Sequence, residues 1–211
     1  MAVLEESTSL PLGEVLKTMQ ERIVTHTSYF GVPTQKNPLD FWVYQEMIIE
    51  LKPTVIVEIG NKFGGSALGF AHLFDLMGRG RIIAVDIDHS QLHETAKAHP
   101  RIAFLEGDAT ELAEKVIGMI SPEDDVLVVE DSSHTYANTL SVLEHYHSLV
   151  KSGGYFIVED SNCHHGLEVG PNPGPYEAIE HFLETNLDFE SDRGRESFLI
   201  TWNPKGFLRR K

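Results

Sequence analysis

Cysteine is almost absent: Cys163 stands alone. A single thiol cannot close an internal disulfide, and the scarcity suits a reducing, cytoplasmic setting. Cys163 sits among loop residues, where a lone thiol is a bystander more often than a nucleophile. Long hydrophobic runs are missing too. No stretch of about 18 apolar residues exists, so no membrane-spanning helix is expected. The opening MAVLEESTSLPLG has neither a basic start nor an apolar core, so it does not read as a secretory signal. Positive charge is scarce, with 17 Lys and Arg against 32 Asp and Glu, a net charge of −15. Phosphate backbones require a basic footprint, so nucleic acid is not expected as a partner, and the basic tail Leu208–Lys211 is too short to change that. The carboxylate surplus either keeps the protein soluble or gathers at a metal site. Repeats, low-complexity tracts and an interdomain linker are also lacking. With 41% apolar and 23% charged residues, the 211 residues read as one globular domain. Residues 1–53 supply N-terminal helices and a lid loop, and residues 54–211 the core.

The chain is organised around Thr54–Ser66, TVIVEIGNKFGGS. Thr54–Ile59 is apolar and β-branched, the pattern of a parallel strand buried on both faces. Gly60, Gly64 and Gly65 follow, then a helical pattern. Glycines there allow a sharp turn and close approach to a ligand, and the free N–H groups of the helix start suit an anion. Before this stretch, Leu12, Val15, Leu16, Met19 and Ile23 form a helical stripe within Pro11–Thr27. Tyr29–Asp40 reads as a loop. Asp40 is positioned to cap a helix ending near Leu51 at Lys52-Pro53. After it, strands are expected at Thr54–Ile59, Arg81–Asp86, Arg101–Glu106, Asp125–Glu130 and Tyr155–Glu159. Helices are expected at Gly65–Met77, Ser90–His99, Thr110–Gly118, Thr135–Val150 and Pro175–Asn186. The alternation implies a parallel sheet with helices on both faces. Two further strands, Leu187–Ser191 and Ser197–Trp202, are close enough to pair only antiparallel.

Several residues fall at the carboxyl edge of this sheet, where open α/β sheets bind ligands. Glu58 and Gly60 flank the first strand end, Gly64 shapes the turn, and Ser66 opens the helix. Asp86 ends the second strand, where a carboxylate accepts hydrogen bonds from both hydroxyls of a ribose. Asp108 and Ala109 follow the third strand, Asp108 as either a ligand contact or a loop cap. The fourth strand ends in Glu130-Asp131 and the fifth in Glu159-Asp160. Carboxylates brought this close repel unless a cation lies between them, and hard oxygen ligands suit Mg²⁺. Asp131, Glu159 and Asp160 are the expected ligands, with Glu130 as second choice because adjacent side chains on a strand diverge. His134, three residues after Asp131, is a candidate general base near neutral pH. His164 and His165 lie in the loop after the fifth strand, on the substrate side or the surface.

Five parallel strands with a terminal antiparallel pair is the pattern of class I S-adenosylmethionine (SAM) methyltransferases. The nucleotide fingerprint G-x-G-x-x-G of oxidoreductases is absent. The spacing E-x-G-x-x-x-G-G-S from Glu58 resembles the first methyltransferase motif instead. More specifically, GVPTQKNPLDFWVYQEMI, VEIGNKFGGS, AVDID, EGDA, EDSSHTY, SGGYFIVEDS, NPGPYEAIEHFL and RESFLITWNPKGFLRR resemble, in order and over nearly the whole chain, the family named for cephalosporin hydroxylase. Its relatives include rhamnosyl and macrolide-sugar O-methyltransferases. The layout is more distantly similar to catechol O-methyltransferase. There, carboxyl groups after strands four and five bind the metal, and a residue three positions after the first acts as base.

This resemblance implies a Rossmann-like α/β fold with a seven-stranded sheet and Mg²⁺-dependent methyl transfer from SAM. It implies Asp131, Glu159 and Asp160 at the metal, His134 as base, and a small-molecule hydroxyl as acceptor. Asp108 and Ala109 would hold the adenine, and Ser66 the methionine carboxylate. Lys36 is either a partner for that carboxylate or a solvated lysine. Asn61 departs from the small residue expected in these relatives. No large capping domain is evident, so the lid comes from Tyr29–Asp40 and residues 161–174 or from a second copy in a dimer. The competing expectations are a metal-dependent hydroxylase, which calls for a redox metal, and a SAM-binding protein without activity.

Overall fold

The computed structural model describes residues 9–211; the first eight residues of the opening segment lie outside them. Among the described residues, the first elements are helix α1 (Leu12–His26) and a two-residue-per-strand hairpin, β1 (Ser28–Tyr29) and β2 (Val32–Pro33), which overlaps the start of the loop expected at Tyr29–Asp40. Helix α2 (Pro38–Leu51) follows. Its cap is Asn37, whose Oδ1 accepts from the Leu39 N–H at 3.1 Å, and not Asp40, which lies buried in the first turn. Pro38 fits the first turn because its missing N–H would be unpaired there anyway.

Strand and helix then alternate: β3 (Val55–Ile59), α3 (Gly65–Met77), β4 (Arg81–Asp86), α4 (Glu94–Lys97), β5 (Ile102–Glu106), α5 (Ala113–Ile117), β6 (Val126–Glu130), α6 (Tyr136–Tyr146) and β7 (Tyr155–Val158). Helix α7 (Pro175–Thr185), β8 (Phe189–Ser191) and β9 (Phe207–Arg210) close the chain. One sheet has the order β5-β4-β3-β6-β7-β9-β8. Its first five strands are parallel, and β9 runs antiparallel to both β7 and β8. This is the class I SAM methyltransferase fold expected above.

The central strands bury both faces, as their unbroken apolar runs require. Val55, Val57 and Ile59 pack on one side with α6 and α7 residues such as Leu143 and Ile179. Ile56 packs on the other side with Met47, Phe70 and Phe74 of α2 and α3. Each such side chain contributes roughly 1.5–3 kcal/mol on burial. Connections run outward from β3 to β4 and β5, then return to the other side at β6. The carboxyl ends of β3 and β6 therefore flank the switch point, where a crevice opens.

Three expectations differ in detail. Ser197–Trp202 is not a strand: Leu199 is 93% exposed with φ 63°, which an extended strand does not permit. Asp40 instead accepts hydrogen bonds from the Trp202 N–H at 2.8 Å and Thr201 Oγ1 at 2.6 Å, diverting this backbone from a ladder. The pairing strand is β9, which overlaps the tail Leu208–Lys211 read as a basic end; its Phe207 and Leu208 are buried. Helices 90–99 and 110–118 are shorter than their patterns suggest. Asp88 and Asp108 tie the N–H groups of Ser90 and Thr110 into local turns that delay the helices.

Candidate active site

At the end of β3 the chain turns through Gly60 (φ 88°), Lys62 (φ 44°) and Gly64 (φ 81°) before α3. A Cβ at Gly60 would collide with the carbonyl of Asp131, and one at Gly65 with Thr34. Glycine thus presses the turn against the exit of β6 on one side and against the N-terminal segment on the other. Glu58 is completely buried on β3, and neither of its carboxylate oxygens has a hydrogen-bond partner. Burial pushes its pKa up to about 7, against the pull of the Lys36 ammonium 3.8 Å away. Asn61 Nδ2 is likewise buried and unpartnered. Such groups are costly unless a ligand satisfies them.

Asp86 ends β4 and accepts the Lys62 N–H at 2.6 Å and the Asp88 N–H at 3.2 Å. A carboxylate offers about four acceptor sites, so capacity remains. Asp108 Oδ1 accepts from the N–H of Thr110 at 2.8 Å and of Glu111 at 3.3 Å, making it a turn cap. The Thr110 hydroxyl at 2.6 Å, foremost, lowers its pKa. Ala109 lies beside it, its carbonyl accepting from Tyr146 OH at 2.5 Å. Gly60, Ser66, Asp86, Asp108 and Ala109 line one cleft of about 670 Å³, a volume suited to a cofactor-sized ligand.

The same cleft reaches the ends of β6 and β7. Asp131, His134 and Asp160 bring one ligand atom each within 4.8 Å of one another. His134 Nε2 stands 3.3 Å from Asp160 Oδ2 and 3.9 Å from Asp131 Oδ1, and its Nδ1 is buried without a partner. His134 and Asp160 both have φ 55°, a strained conformation for non-glycine residues and one concentrated at functional sites. Burial lowers the His134 pKa, but the charges of Asp160 and Asp131 outweigh it and the net shift is upward. Burial also pushes Asp160 up to about 6, with His134 opposing. One imidazole and two carboxylates is not the two-histidine, one-carboxylate set of iron oxygenases.

Glu159 is absent from this trio. Its Oε1 accepts from Lys36 Nζ at 2.6 Å, and Lys36 also donates to Asp131 Oδ2 at 2.5 Å. Lys36 is thus not a solvated lysine: only 4% exposed, it lines the cleft within the acidic cluster. Glu130 is buried and turned away, accepting from the Ser132 N–H at 3.2 Å and from Thr139 Oγ1 at 3.4 Å. His164 bonds Glu168 and the Gly170 carbonyl, and His165 bonds Glu177. Cys163 lines the cleft, but burial pushes its thiol pKa up to about 11, which leaves a poor nucleophile.

Asn203 carries a role that strand and helix patterns do not reveal. It is fully buried; its Oδ1 accepts the Asp160 N–H at 3.2 Å, and its Nδ2 donates to Tyr44 OH at 2.6 Å. It therefore fixes the strained backbone of Asp160. The only signal was its place in the family-like stretch TWNPKG.

The family model described as Rhamnosyl O-methyltransferase/CmcI matches residues 21–211. A rhamnosyl O-methyltransferase of Mycobacterium leprae (strain TN) is 37% identical over 193 residues, covering 88% of this chain and 83% of that protein. One of Mycobacterium tuberculosis (strain ATCC 25618 / H37Rv) is 35% identical over 191 residues, 87% of this chain and 78% of that one. Among solved structures, a CmcI structure with Mg and SAM matches with a TM-score of 0.69 at 26% identity, over 88% of this chain and 76% of that chain. An O-methyltransferase from Bacillus cereus in complex with SAH shares the fold, with a TM-score of 0.56 at 16% identity, over 89% of this chain and 85% of that one.

Proposed function

The chain belongs to the rhamnosyl O-methyltransferase/CmcI family, and from that premise we propose that it transfers a methyl group from SAM to a hydroxyl oxygen of a small molecule, aided by a divalent cation. The observation that carries this reading is that the turn residues Gly60, Asn61, Gly65 and Ser66 and the Asp131, His134 and Asp160 cluster line one cleft, with Glu58 buried just behind the turn. When bound, SAM supplies an electrophilic methyl group and Mg²⁺ lowers the pKa of the acceptor hydroxyl.

The residues have separable tasks. Glu58, with two unpartnered buried oxygens, is an acceptor for the ammonium of the methionine end. Asp86 holds ribose hydroxyls with its remaining acceptor capacity, and Asp108 and Ala109 border the base. Asp131 and Asp160 are the cation ligands. A hard cation prefers oxygen, so Glu159 is a better third ligand than His134. His134 then remains free to take the acceptor's proton at Nε2, the nitrogen facing the cluster. Holding these groups around one cleft supplies the positioning on which a displacement at a methyl carbon depends. The acceptor class follows the relatives: a sugar hydroxyl, a phenol or another natural-product hydroxyl.

The test is formation of S-adenosylhomocysteine (SAH) from SAM across a panel of sugars, diols and phenols, with Mg²⁺ and with excess chelator. Turnover on at least one hydroxyl, abolished by chelator, is expected. Full turnover in chelator would remove the cation from the reaction, and no transfer to any acceptor would overturn the proposal.

A further inference from the structure

Lys36 is the buried lysine among the described residues, and its ammonium sits in the acidic cluster rather than beside it. It donates to Asp131 Oδ2 at 2.5 Å and to Glu159 Oε1 at 2.6 Å, and stands 3.8 Å from Glu58 Oε1. Two of these three carboxylates are groups that a divalent cation would need.

The backbone carrying Lys36 is held on both sides. Upstream, the Thr34 N–H donates to the Thr27 carbonyl at 3.0 Å, and Gln35 Nε2 donates to the Val24 carbonyl at 2.9 Å. Downstream, Asn37 caps α2. The ammonium therefore leaves the carboxylates only by a change in its own four-carbon side chain, a motion lysine permits. In a low-dielectric cleft, carboxylates this close cannot all stay ionised without a cation. Here that cation belongs to the protein.

We infer that Lys36 is an internal counter-ion: it gathers Asp131 and Glu159 in the metal-free protein and yields them when a divalent cation binds. This inference rests on the metal site proposed above. It accounts for Glu159 standing apart from the Asp131, His134 and Asp160 trio, because Lys36 holds it. Lys36 acts as a positioning residue. It keeps the site assembled, and it lowers metal affinity by competing for the same oxygens.

The test measures Mn²⁺ binding to the full chain at pH 8 by the electron paramagnetic resonance of free Mn²⁺, for wild type and Lys36→Gln. Thermal melts in EDTA and in Mg²⁺ accompany it. The variant is expected to bind Mn²⁺ at least about ten-fold more tightly, since one unit of competing positive charge within a few ångströms is removed. It is also expected to melt at lower temperature in EDTA and recover in Mg²⁺; folding only with Mg²⁺ equally supports the inference. Unchanged or weaker Mn²⁺ binding overturns it. Should the variant fail to fold under either condition, wild type with ¹⁵N-labelled lysine decides. A protected Lys36 ammonium resonance is expected in EDTA and should shift or vanish at saturating Mg²⁺; no protected resonance in EDTA, or one that stays put in Mg²⁺, overturns the inference. Failure of wild type to bind Mn²⁺ at all would instead overturn the metal site itself, so the two failures are distinguishable.

Discussion

Replacing Glu58 by Gln is expected to stabilise the cofactor-free protein at alkaline pH while weakening its hold on the cofactor. Glu58 is fully buried without a hydrogen bond, and its pKa lies at about 7 against an ordinary 4.5. A carboxyl whose pKa is raised by folding contributes its full stability below the unfolded value and loses it as pH rises through the folded value. The wild type therefore loses about 1.4 kcal/mol per pH unit from this group between those two values, roughly 3 kcal/mol in all. Glutamine mimics the protonated form and escapes that loss. Urea denaturation of both proteins without cofactor should give similar stabilities near pH 4.5 and a gap of about 3 kcal/mol in favour of the variant at pH 8.5. Groups common to both proteins cancel in the difference. Conversely, SAH should bind the variant about ten-fold or more weakly at pH 8, through loss of a charge-assisted hydrogen bond. In wild type that affinity should fall as pH drops below about 7, because Glu58 must give up a proton to receive an ammonium. A variant no more stable than wild type at pH 8.5, or a gap that does not grow with pH, would refute the reasoning.

Three further perturbations test the site's construction. Asp160→Ala should reduce turnover at least about a hundred-fold while leaving SAH affinity within a few-fold of wild type; retained turnover would dismiss Asp160 as a ligand. Asn203→Ala strands the Asp160 N–H and Tyr44 OH. It should cost roughly 2–3 kcal/mol in denaturation and weaken Mn²⁺ binding about ten-fold, whereas a purely structural residue would leave the Mn²⁺ titration unchanged. Gly60→Ala meets both a positive φ and the Asp131 carbonyl. A loss of about 3 kcal/mol or more in thermal or chemical denaturation is expected, and a neutral result would mean the turn is not pressed against β6.

The sheet was legible because its strands are buried on both faces. VIVEI, IIAV and VLVV are short and rich in β-branched residues, and turn residues bound them, which favours strand over buried helix. The acidic pairs at Glu130-Asp131 and Glu159-Asp160 were legible as neighbours at one candidate site because strand ends of a parallel sheet share one edge. What each pair does there was not. Strand alternation separates Glu130 from Asp131 correctly, but past the strand end it no longer governs. The φ of 55° at both His134 and Asp160 re-aims those side chains, and residue type does not announce it. Lys36 lies 95 residues from Asp131 and 123 from Glu159, so no local pattern couples them. The tail misled for a related reason. Phe198 and Leu199 look like strand residues, yet Asp40, 162 residues from Trp202, claims the Trp202 N–H and turns the chain toward Asn203 and β9.

The central claim is that one cleft holds a cofactor turn and a cation site together. Calorimetric titration of the protein with SAH, once with Mg²⁺ and once with chelator, tests it most directly. Saturable binding in the micromolar range or tighter is predicted, surviving chelation because Glu58 on β3, the glycine turn after it and Asp86 on β4 are separate from the proposed cation ligands at the ends of β6 and β7. Absence of binding under both conditions would contradict the account.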